Sequence, residues 1–170
     1  MLKVRTIAAA MLGLLLLTAG TPARAAQNAA DIAVVFPDQL GGFAERGVQR
    51  YPQPGYGYSI RYVDGDVRVD VFVYDAGERA IPDGSEAPVV VRHFDDNHRG
   101  IQQYYAQQRQ PATVAQLGPV VSGGVRWLSA EYDVLQGGAP MHSVLMVTGF
   151  RNRYVKIRAT YPATATRGRL

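Results

Sequence analysis

Cysteine is absent from all 170 residues, which excludes disulfides, thiolate metal sites and a cysteine nucleophile. Tryptophan occurs once, at Trp127. No apolar run is long enough to cross a bilayer: residues 7–17 are apolar and uncharged, 11 in all, against the ~20 a spanning helix needs. G-x-S-x-G, the P-loop and G-x-G-x-x-G are all missing, so the sequence names no hydrolase elbow, nucleotide site or cofactor. Even the apparent excess of base, +4 with a pI near 9.5, is mostly carried by the first 25 residues.

Those residues place Lys3 and Arg5 before the apolar run and end in Ala23-Arg24-Ala25. Basic, apolar and A-x-A segments in that order are the pattern of a cleaved secretory signal. No cysteine follows the run to carry a lipid. The expectation is a periplasmic or secreted protein, with 1–25 as signal peptide, 26–170 as one domain and an ordered core over about 34–162, with no membrane span after cleavage. Removing Lys3, Arg5 and Arg24 leaves 15 basic against 14 acidic residues, which takes away the electrostatic case for nucleic acid. The remaining charge is uneven: residues 64–96 hold nine carboxylates and three arginines, while residues 151–170 hold five arginines, one lysine and no acid. Either the two regions adjoin in the fold or the second forms a basic edge.

What is present is strand pattern. Residues 58–75, YSIRYVDGDVRVDVFVYD, alternate about Asp64-Gly65, a hairpin signal. With that pair as the turn, Tyr62 faces Val67, Ile60 faces Val69, and Arg61 meets Arg68 on the other side. Residues 43–51 read as an edge strand stopped by Pro52 and Pro54. A loop over 76–88, plugged by Ile81, leads to a helix over about 86–110, capped by Ser85 or Asp83. Its stripe of Val90, Phe94, Ile101, Tyr104 and Tyr105 is expected to cover the hairpin. Gly100 in its middle costs about 1 kcal/mol against alanine, marking a bend or a close approach to a strand. A meander of four strands follows over 113–121, 125–135, 141–150 and 154–161. Val134 sits opposite Met141, and a three-residue turn over 151–153 sets Val147 by Ile157. The fold class is α+β: a mostly antiparallel sheet of about six or seven strands with one principal covering helix.

The run His93-Phe94-Asp95-Asp96-Asn97-His98 contains metal-ligand types, but histidines five apart lie ~140° around a helix and do not share a face; it reads as a solvated helix face. Ser129, Asp133 and His142 do not form a triad, because Ser129 lies four residues along its strand from His142's partner, ~13 Å away. The register gives the meander a second, mixed face with Trp127, Glu131, Asp133, His142, Met146 and Arg158, a candidate surface for a small ligand or a protein partner. Cover by another segment is the alternative. No catalytic, cofactor or metal residue is assigned. The expected role is a binding or accessory domain, with a self-associating structural protein or a small hydrolase-type enzyme as alternatives.

The order of hairpin, helix and strands, with GGVRWLSAEYDV at residues 123–134, resembles that of Mog1/PsbP-like α+β domains. The motifs YVDGDVRVDVFVYDAG, IPDG and LMVTGFRNRYVKIRATYP also resemble a group of uncharacterised exported bacterial proteins. The resemblance spans nearly the whole chain after the signal, and implies an accessory or binding role with no catalytic residue to carry over. That fold usually ends in a helix, for which this chain has no pattern after Tyr161.

Overall fold

The computed structural model describes residues 36–165; the expected signal segment and its cleavage point lie outside them. The described chain is α+β, an eight-stranded antiparallel sheet with one helix. In chain order the strands are β1 (Gln39–Leu40), β2 (Phe43–Arg50), β3 (Tyr58–Asp64) and β4 (Val67–Tyr74), then the helix α1 (Pro88–Gln107), then β5 (Thr113–Ser122), β6 (Val125–Gln136), β7 (Ala139–Phe150) and β8 (Arg153–Pro162). The spatial order is β1-β2-β3-β4-β8-β7-β6-β5. Two meanders therefore meet along β4 and β8, the strands that carry the acid-rich and base-rich stretches. Asp70 lies opposite Arg158 there, Arg153 pairs with Asp75 at 2.8 Å, and Asp83 accepts the Arg151 amide. The two charged regions adjoin.

The first hairpin forms with its turn one residue later than expected. Asp64 pairs with Val67, so Gly65 and Asp66 are the central residues, and only Gly65 (φ 55) needs the left-handed region. A single positive φ at the first central position is the type II′ arrangement, not type I′. The face assignment of each side chain survives, but its partner changes. Ile60 meets Val71, and Arg61 meets Asp70 rather than Arg68. Asp70 binds both arginines, at 2.7 Å to Arg61 and 3.2 Å to Arg68, so the like-charge pair expected there does not arise.

The second difference is larger. The turn between β7 and β8 has two central residues, Arg151 (φ 46) and Asn152 (φ 59), and Phe150 pairs with Arg153. A three-residue turn shifts the register by one, and with a side-chain period of two that inverts every residue of β8. Ile157 therefore meets Met146, not Val147, and Lys156 and Arg158 point to the opposite side from Trp127.

The inversion explains why the sheet has two cores. On one face the hairpin residues Ile60, Tyr62, Val69 and Val71 continue through Ile157 and Ala159 to Val144, Met146 and Trp127. On the other, Ala130, Tyr132, Val134, Leu145 and Val147 bury Val90, Phe94 and Tyr105 of α1, with Ile81 plugging the end as expected. The helix therefore covers β6 and β7, not the hairpin. It starts on Pro88 after an extended Ala87 with no side-chain cap. Proline's fixed φ suits that first position and its missing N–H is no loss there. Ser85 and Asp83 do not cap it, and Glu86 instead pairs with Arg126.

Candidate functional site

Because α1 lies mainly over β6 and β7, much of the same side of β8, β4 and β3 is left as a shelf beside it. By strand alternation that shelf presents Lys156 and Arg158 from β8, Arg68, Asp70, Phe72 and Tyr74 from β4, and Arg61 from β3. Where helix and shelf meet there is a cleft of about 550 Å³ lined by Asp96, Asn97, Gly100, Ile101, Tyr104, Tyr105, Lys156 and Arg158. The helical residues recur every three or four positions, so they form one stripe of α1.

Lys156 is held in place by a relay that begins at the sheet. Tyr74 Oη lies 2.5 Å from His93 Nε2, and burial raises the phenol's pKa, so Tyr74 donates and Nε2 accepts. His93 is then the neutral tautomer protonated on Nδ1. Burial first, and the charge of Lys156 next, push its pKa down to about 4, and its ring stacks on Tyr154 with centroids 3.9 Å apart. Asn97 Nδ2 lies 3.2 Å from the same nitrogen and donates to the His93 carbonyl at 2.8 Å. That leaves Asn97 Oδ1 facing Lys156, whose ammonium donates to it at 3.0 Å. The Nζ also lies 4.8 Å from the Phe72 centroid and 5.2 Å from that of Tyr74, within cation–π range. Burial, then the neighbouring Arg158, bring the Lys156 pKa down to about 8.

Arg158 stands beside it with one arm engaged. Its Nη2 donates to Ser143 Oγ at 3.0 Å, while Nη1 is buried with no hydrogen-bond partner among the described residues. Burial lowers its pKa, against the charge of Asp70. That carboxylate is already shared between Arg61 and Arg68, and among the described residues no ion pair involves Lys156 or Arg158. Asp96 at the rim is turned to Arg99. Two cations thus share a cleft without a carboxylate of their own, and one has an unused donor. An anion with at least two acceptor atoms fits that set.

The candidate surface expected from the sequence is placed differently. Trp127, Glu131, Asp133, His142 and Met146 do share one face. Trp127 and Met146 are each 1% exposed and belong to the core that includes the first hairpin. Asp133 and His142 pair at 2.8 Å at the exposed end of the same strands. Burial raises the pKa of Glu131 between them. Asp133 is six positions from Trp127, ~20 Å along a strand, so the charged and aromatic groups do not converge. Ser129 is buried with its hydroxyl unpartnered, two residues along the strand from Glu131. Arg158 is on the helix side, brought to Ser143, Asn97 and Lys156 instead. Nor is the histidine run a solvated face: His93 bonds Tyr74 and His98 Nδ1 lies 2.7 Å from Tyr132 Oη. Sequence reasoning missed Asn97 and Lys156 as site residues. The signal was the alternation of β8 itself, in which Val155, Ile157, Ala159 and Tyr161 are apolar and Lys156, Arg158 and Thr160 polar, together with Asn152, a residue that tolerates positive φ in a two-residue turn.

No protein-family model and no curated protein matches the chain. Among solved structures it is similar to the solution structure of cyanobacterial PsbP (CyanoP) from Synechocystis sp. PCC 6803, with a TM-score of 0.45 and 16% identity over 72% of this chain and 71% of that one.

Proposed function

We propose that the protein is an exported, non-enzymatic binding domain that holds a small organic anion in the cleft between α1 and β8. The observation that carries the reading is the pair Lys156 and Arg158, half-buried, fixed by Asn97 and Ser143, and without an ion pair among the described residues. Asp70, opposite Arg158, is shared by Arg61 and Arg68, and burying charge without an ion pair of its own is unfavourable, so two such cations side by side are better explained by a ligand than by the fold. The N-terminal basic, apolar and A-x-A pattern supports export, and among the described residues no helix is long and apolar enough to cross a membrane.

Calorimetric titration with phenyl phosphate, benzoate and inorganic phosphate at low ionic strength tests the reading. Saturable binding that weakens with added salt is expected. A hydrogen bond to a charged group contributes about 1.5–3 kcal/mol, so Lys156→Met and Arg158→Met should each weaken binding by about tenfold or more. Equal affinity in wild type and both variants would remove the cleft as the site.

A further inference from the structure

Neither packing nor backbone conformation requires glycine at position 100. It sits within a helix that runs without interruption from Pro88 to Gln107, and its backbone is not in the left-handed region that requires glycine. A Cβ built on it would meet nothing within 4 Å, so a close approach to a strand does not account for it. Glycine is the least favourable helix-interior residue after proline, and alanine the most favourable. What Gly100 does have is a position in the cleft wall, one turn from Asn97 and one from Tyr104, with Ile101 beside it.

The cleft is also larger than its two cations need. Its volume of about 550 Å³ lies in the range of sites that take whole small molecules, ~300–1,000 Å³. A bare inorganic ion at Lys156 and Arg158 would leave the helical side unfilled. That side offers Ile101 and the rings of Tyr104 and Tyr105. Tyr104 is 58% exposed, whereas Tyr105 next to it is buried. Apolar side chains left uncovered beside a cationic floor suit an amphipathic ligand, with its anionic head below and its body against the helix.

We infer that Gly100 is the specificity-determining position of the cleft, its missing side chain making room for the apolar body of an organic anion whose head is held by Lys156 and Arg158. The inference rests on the anion-binding reading and adds the ligand's class, a carboxylate or phosphate ester with a ring or branched chain, to it. Helix side chains lean toward the N-terminus, so a side chain at position 100 would extend over the turn containing Asn97 and Asp96, above Lys156. It would fill the space that the body needs next to the head.

The test combines stability and binding in three proteins: wild type, Gly100→Ala and Gly100→Leu, both substitutes being good helix formers. Tm should rise or stay level in both variants. Affinity for phenyl phosphate and benzoate should fall, least in the alanine variant and by ~tenfold or more in the leucine variant, while inorganic phosphate, which has a head and no body, should bind all three alike. Comparison of phenyl phosphate with benzoate separates the phosphate-ester head from the carboxylate. Unchanged phenyl phosphate and benzoate binding in Gly100→Leu would overturn the assignment of Gly100 and leave the anion site standing. An equal loss for inorganic phosphate would overturn it as well, since the substitution would then act on the head. Wild type that binds none of the three probes would sink the anion reading itself, and this inference with it.

Discussion

Replacing Lys156 by methionine should make the protein more stable and less able to bind anions. Burial brings the Lys156 pKa from 10.5 to about 8. At 1.36 kcal/mol per pKa unit, that drop of roughly 2.5 corresponds to about 3 kcal/mol by which the folded state disfavours the charged amine at pH 7. Methionine keeps the stem's contact with Phe72 and Tyr74, where a thioether is well received, and has no charge to desolvate. Against this, Asn97 Oδ1 loses its donor, and an exchanged hydrogen bond offsets about 1–2 kcal/mol of the gain. The net expectation is about 1–2 kcal/mol of added stability at pH 7, read as a higher urea midpoint at unchanged slope. The pH dependence fixes the cause. Lys156 releases its proton in the folded state near pH 8 but in the unfolded chain near 10.5. The unfolded state therefore binds more protons in that window and the wild type gains stability as pH rises through it. The advantage of the variant should be complete below about pH 8 and largely gone by about pH 10. A variant less stable than wild type at pH 7 would show that Lys156 serves the fold, and would refute the argument that a ligand explains it.

Four further outcomes follow from the same structure. Leu145→Ala and Ile157→Ala remove fully buried side chains from opposite faces of the sheet, so each should cost about 2–5 kcal/mol in urea melts, whereas a one-faced sheet would tolerate one of them. Trp127, 1% exposed, should emit at short wavelength and resist iodide; red-shifted, readily quenched emission would mean that its face is open in solution. His93 has its pKa lowered to about 4. It takes up its proton in the unfolded chain first, so stability should fall as pH drops from about 6.5 toward 4, and a His93→Gln variant with the same acid slope would exclude this residue as the cause. Finally, intact mass of the exported protein should match a chain beginning at Ala26, and retention of residues 1–25 would contradict export with cleavage.

Much of the fold was legible because apolar alternation is a period-two signal that survives small errors in turn position. The pairing of β6 with β7, Val134 opposite Met141 and Leu128 opposite Val147, follows from pattern alone and is observed. In the first hairpin a displaced turn changed every partner without moving any side chain to the other face. The β7–β8 turn shows where pattern fails. β8 is apolar on alternate residues, but β7 is apolar on consecutive residues from Val144 to Val147 and buried along both faces, so matching apolar to apolar was possible in either register. The choice lay in two left-handed residues, one of them an arginine, a type seldom found there. That choice decided the site, since it moved Lys156 and Arg158 from the Trp127 face to the helix face. The helix was misplaced for a related reason: its stripe says that it covers something apolar, and the sheet has two apolar faces. Gly100 stood out in the sequence as a cost to the helix, but only the empty space around it separates a cleft from a packing contact.

Binding of an organic anion at Lys156 and Arg158, in the cleft between α1 and β8, is tested most directly by an amide-resolved NMR titration of the protein with phenyl phosphate. Saturable shifts are expected, centred on Asn97, Gly100, Ile101, Lys156 and Arg158, needing about tenfold or more ligand in Lys156→Met and absent around Asp133 and His142. Shifts that stay linear up to roughly millimolar ligand, where binding amounts to only about −4 kcal/mol, or that saturate elsewhere on the molecule, would contradict it.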